Sequence, residues 1–131
     1  MSIWTKPVTI EMLDAISANS ASSHLGIEFV EIGDDFITAR VPVDARTRQP
    51  YGILHGGAHV VLGESLGSIS SAIHGGPNRI AVGIEINATH SRSIASGVVT
   101  ATCTALSLGR TLATHEIVIR DEHGRRLSTV R

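Results

Sequence analysis

One stretch constrains this chain more than any other. From His59 to His74 a helical pattern runs through a sequence otherwise patterned for strands. Ala58, Leu62, Leu66, Ile69 and Ile73 recur three or four residues apart and form one apolar stripe. Gly75-Gly76-Pro77-Asn78 halts the helix. Ahead of it, Gly26 to Ile32 and Phe36 to Val43 read as strands joined at the turn Gly33-Asp34-Asp35, and Pro42 with the polar run Asp44 to Pro50 ends the second. Thr9 is placed to cap a short helix through Glu11 to Ile16, which the polar cluster Asn19 to Ser23 should end. Behind the long helix the chain is β-like. Arg79 to Ser91 carries the alternation Ile80, Val82, Ile84, Ile86, Val98 to Leu108 is rich in Val and Thr, and Thr111 to Arg120 leads into the turn Asp121-Glu122-His123-Gly124. A last strand starts at Leu127 and is expected to be cut short by the abrupt stop at Arg131. One striped helix among strands that meander predicts an α+β fold, an antiparallel sheet wrapping a long central helix. The absence of βαβ alternation argues against Rossmann and barrel folds.

The 131 residues suit one domain, 1–131. Hydrophobic residues are 42% and mean hydropathy is +0.18, enough for a packed core. Charged residues are only 18%, against roughly 25% in soluble domains, although a small domain has much surface to cover. Part of that surface is therefore expected to lie against another subunit. A net charge of −1 and 3% aromatics give neither the field nor the stacking platforms of a nucleic-acid binder. Cys103 stands alone, which excludes an internal disulfide and a cysteine-built zinc site. Met1 to Pro7 has no signal-peptide run and no apolar stretch approaches the roughly 18–20 residues of a membrane span. A cytoplasmic protein without membrane or nucleic-acid partners is the expectation.

Between His59 and His74 the only charged side chain is Glu64. At about 100° per residue it lies off the apolar stripe, on a face shared with Val60, Gly67, Ser68 and Ser71. A solvated face would carry several charges. This one reads as turned toward a ligand or partner, with Gly63 and Gly67 allowing close approach, and a desolvated carboxylate is a stronger base. A structural, ion-paired carboxylate is the plainer alternative. His55-Gly56-Gly57 precedes the helix, where unpaired N–H groups and the helix dipole favour a developing oxyanion. The alternative there is a flexible glycine pair. His55 and His59 have metal-pair spacing, but the Glu that follows the first His in helical zinc hydrolases is absent and Glu64 lies on the opposite side, so no metal is expected. His90 ends a strand and reads by itself as a surface residue, Cys103 as a buried small hydrophobe, and Ser65, Ser68, Ser70 and Ser71 show no nucleophile elbow.

Taken together, Ile32-Gly33-Asp34-Asp35, Pro42 to Gly52, Leu54-His55-Gly56-Gly57-Ala58, Leu62-Gly63-Glu64-Ser65-Leu66-Gly67-Ser68 and Gly83-Ile84-Glu85-Ile86-Asn87-Ala88-Thr89-His90 resemble the hotdog-fold acyl-CoA thioesterases of the phenylacetate-degradation type. The likeness is nearest to the subgroup holding the dihydroxynaphthoyl-CoA and enterobactin proofreading thioesterases. It runs from near Trp4 to the last residue, ungapped through the core. The resemblance implies a homo-oligomer, usually a dimer of dimers, with a sheet continuous across the dimer and a site at the interface. It also implies roles: Glu64 as nucleophile or general base, the Gly56 N–H as carbonyl donor, His55 orienting the thioester, and Gln49 and Ser68 positioning the acyl group or water. Gly83, His90, Arg92 and Ser93, with the Gly109-Arg110 turn, would line the coenzyme A channel, Arg92 and Arg110 facing phosphates. No cofactor is implied, since coenzyme A is part of the substrate, and the acyl group is expected to be aromatic or bulky. Two positions depart from the pattern: His59 stands where a small residue is expected, and Gly63 where Ala is commoner. An acyl-thioester dehydratase or hydratase, and a non-catalytic acyl-CoA-binding module, are the competing readings.

Overall fold

Thr9 begins the first regular element as its position demands. In the computed structural model, which describes residues 1–131, its side chain accepts the Met12 N–H at 3.2 Å and caps helix α1, Ile10–Ser17. The polar cluster that follows does not simply end the helix. Ser20 and Ser23 form a reciprocal capping box that nucleates one more turn, α2, Ala21–His24. Strands β1 (Glu28–Ile32) and β2 (Phe36–Pro42) make the expected antiparallel hairpin. The long helix α3 spans Gly56–Gly75, and β3 (Ala88–His90), β4 (Val98–Leu108), β5 (Ala113–Arg120) and β6 (Arg126–Val130) complete the chain.

All six strands form one antiparallel sheet in the order β1-β2-β4-β5-β6-β3. Its inner face is built by period-two alternation, and the register aligns the apolar residues in rows across strands. Ile37 pairs with Cys103, Cys103 with Ile117, and Ile117 with Val130. Ala39, Ala101 and Ile119 form the next row. Against these rows lies α3, packed on β2, β4, β5 and β6, with Leu62 and Leu66 wholly buried. Burying each leucine contributes about 1.5–3 kcal/mol. Gly63 explains how the helix comes so close: a Cβ there would stand 2.7 Å from Val130 Cγ1. The close approach expected of Gly63 is thus made to the chain's own sheet, while Gly67 faces open space with only Ile117 Cδ1 at 4.0 Å.

One expectation fails. The alternation in Arg79 to Ser91 yields a strand only at Ala88–His90, and Ile80, Val82 and Ile84 are exposed instead of buried. The physical reason is the place of this segment at the sheet edge, beyond β6. Asn87 and Arg131 exchange both backbone hydrogen bonds at 2.9 Å, but residues 80–86 make no backbone–backbone hydrogen bond. Alternation marks a segment suited to pairing, and pairing needs a neighbour.

Candidate active site

The entrance to α3 is held by a tight loop. Thr47, buried at its base, donates to the Pro42 carbonyl at 2.7 Å and accepts the Asp44 N–H at 3.0 Å. The His55 N–H then donates to the Thr47 carbonyl and the Leu54 N–H to that of Ile94, both at 2.8 Å. His55 is the N-cap, its Nδ1 accepting the Gly57 N–H at 2.8 Å, and its carbonyl takes the Ala58 N–H at 2.9 Å. The Gly56 N–H has no partner within the chain. It is a free donor at the positive end of a 20-residue helix. A Cβ on Gly56 would meet His90 Nε2 at 2.8 Å, so glycine lets the imidazole lie directly on the backbone beside that donor.

Glu64 stands on the other face of the helix. It is half-buried and accepts a 2.8 Å hydrogen bond from Ser68 Oγ, one turn on. Its carboxylate lies against Gly83, where a Cβ would come 2.6 Å from Oε1 and 3.2 Å from Oε2. Glu64, Ser68, Gly67 and Ser71 border a cleft of about 660 Å³, closed on the far side by residues 79–87 and 109–115. Arg79, Arg110 and Arg131 also line it, as do His74 and His115. Burial lowers the pKa of His115, with His74 adding to the effect, and leaves its Nε2 without a partner. Cys103 is buried and its thiol is pushed up to about 11 by desolvation, so it holds its proton at neutral pH.

Comparison with known proteins decides what this arrangement belongs to. A family model described as the thioesterase superfamily matches residues 51–128. The proofreading thioesterase EntH of Cronobacter turicensis is 46% identical over 129 residues, 98% of this chain and 94% of that protein. The chain belongs to the thioesterase superfamily. The crystal structure of a Haemophilus influenzae thioesterase superposes with a TM-score of 0.96 at 43% identity, covering 98% of this chain and 90% of that one. A mutant thioesterase from Pseudomonas aeruginosa gives 0.92 at 40% identity, with 99% and 94% covered. The fold is therefore the hotdog, and the chain is a thioester hydrolase.

In this thioesterase the residues singled out from sequence fall into two groups. Glu64, Ser68, Gly83, Gly109 and Arg110 meet around the cleft. His55, Gly56 and His90 gather at the start of α3, with Arg92 and Ser93 exposed just beyond β3. Gln49 belongs to neither, since its side-chain oxygen accepts the Tyr51 N–H of its own loop. Sequence reasoning missed a third set. His59 is buried, with 4% of its surface exposed, and its ring stacks on that of His90 at 5.2 Å between centroids and 29° between planes. His90 Nδ1 lies 2.9 Å from Ser128 Oγ on β6. His74 and His115 were also passed over, although the spacing of 67, 71 and 74 on the helix and of 115 and 117 on the strand points both toward the cleft.

Proposed function

We propose that this thioesterase hydrolyses acyl-CoA thioesters with aromatic or bulky acyl groups, at a site that two copies of the chain build together. The observation that carries the reading is the placement of the two reactive elements. Glu64 lies in a cleft with Ser68 bonded to it, and the free N–H of Gly56 lies eight residues earlier on the same helix. Eight residues advance the helix by about 12 Å, too far for one carbonyl to meet both groups. A second copy with its helix reversed supplies a Gly56 N–H to the cleft that holds Glu64. The unpaired edge at 80–86, with Ile80, Val82 and Ile84 exposed, is where two sheets would join into one.

The chemistry follows from the thioester. Its carbonyl has little resonance protection and thiolate is a good leaving group, so one donor and one carboxylate suffice. The Gly56 N–H polarises the carbonyl oxygen and stabilises the oxyanion. Glu64, held by Ser68, either attacks the carbonyl carbon or takes the proton of an attacking water. Gln49 would position acyl group or water from its loop, and His55 sets the donor by capping Gly57. Arg110, with Gly109, and Arg92, with Ser93, suit the phosphates, and His90 lies at the thioester end of the pantetheine arm. A pair of such dimers makes the expected tetramer. Replacing Glu64 with Gln should lower the rate of thiol release from benzoyl-CoA about a hundredfold or more while the melting temperature holds; an unchanged kcat rejects the assignment. A screen of benzoyl, hydroxybenzoyl, phenylacetyl, medium-chain and naphthoyl thioesters identifies the acyl class, and free thiol as product distinguishes hydrolysis from hydration.

A further inference from the structure

His59 stands where the resemblance leads one to expect a small residue, and its Nδ1 is buried with no hydrogen-bond partner. Leaving a polar atom unpaired costs the fold, so the ring is not kept for its own hydrogen bonding. What it does contact is His90, face to face at 5.2 Å. His90, an exposed residue, is also held through one ring nitrogen. Ser128 Oγ lies 3.3 Å from the Thr89 carbonyl and donates to it, so it accepts from His90 Nδ1–H at 2.9 Å. That pattern sets the tautomer and leaves Nε2 with its lone pair. Nε2 is also the atom that lies against Gly56.

We propose that His59 is a positioning residue: stacked on His90, it holds the Nε2 edge of that ring beside the Gly56 N–H, where the thioester carbonyl binds. The inference rests on the reading of Gly56 as the carbonyl donor. Ser128 grips one nitrogen, Gly56 provides a floor with no side chain, and His59 closes the face that a serine would leave open. The titratable group that the structure places against His59 is His90 on β3. Burial, with His90 adding to it, lowers the pKa of His59 to about 4. The ring therefore stacks as an uncharged partner at neutral pH.

The test uses His59→Ser and His59→Phe in the full chain. With benzoyl-CoA, the Ser variant should lose about tenfold in kcat with little change in KM, because a misplaced contact at the reacting carbonyl is felt in the transition state. The Phe variant restores a stacking ring without a titrating nitrogen and should recover most of that loss. In parallel, the ring nitrogen and Cε1–H signals of His90 should broaden or shift in the Ser variant and return in the Phe variant. Wild-type kcat in the Ser variant, no recovery with Phe, or unmoved His90 signals overturns the proposal. His59→Asn replaces the Ser variant if that fails to fold. The spectra need no turnover, so a Glu64→Gln variant that stayed active would remove the functional reading and leave the stacking claim to be judged by resonance alone.

Discussion

On the inner face of α3, Leu62 and Leu66 are wholly buried and Gly63 rests on Val130; on the outer face, Glu64, Gly67, Ser68 and Ser71 border an open cleft. Both faces use small residues, to opposite ends. Gly63 removes a side chain so that helix and sheet can touch. Gly67 and the serines keep bulky side chains out of the cleft beside the carboxylate. One face holds the fold together and the other lines the cleft proposed to carry the reaction.

The largest effect that separates them belongs to the core. Leu66→Ala should cost about 2–5 kcal/mol of stability, read in a denaturant melt, with the variant's kcat held wherever it stays folded. Next comes acid. His59 lies on the inner side with a pKa near 4 against 6.5 for the free side chain. Between those values the unfolded chain binds a proton that the folded one refuses, so stability falls as pH drops from 6.5 toward 4, by up to about 3 kcal/mol. His115 acts in the same direction. Melts at pH 7 and pH 4.5 check it, and His59→Phe should flatten the slope. On the outer face the pattern reverses. Gly83→Ala puts a Cβ 2.6 Å from the Glu64 carboxylate, the mobile end of a side chain, and Gly83 has no left-handed backbone to strain. We expect kcat to fall at least about tenfold with a nearly unchanged melt. Ser68→Ala removes one hydrogen bond, about 1 kcal/mol, and should lower kcat about fivefold. A large stability loss in either outer variant would erase the distinction between the faces.

Much of this was legible from residue order. The Thr9 cap, both hairpins, the helix stop at Gly75-Gly76 and the Glu64 face follow from local chemistry and from periods of two and 3.6 residues, and the structure reproduces them. Two features were not. Alternation at Ile80 to Ile86 reports fitness for a sheet but not whether a neighbour is present. The His59–His90 stack joins residues 31 apart through the packing of a helix on an edge strand, and no local pattern encodes such a meeting. Gly63 was recognised as a point of contact, but whether it faced its own sheet or another chain depended on the turn of the helix about its axis.

The spacing of Gly56 and Glu64 along one rigid rod has a further consequence. On the proposed reading a newly made chain carries both groups and can use neither, so turnover should begin only on encounter. Specific activity should then fall upon dilution past the dissociation point, with equal dwindling at every substrate level. Mixing a chain disabled at Gly56 with one disabled at Glu64 should revive a single working site in each hybrid pair.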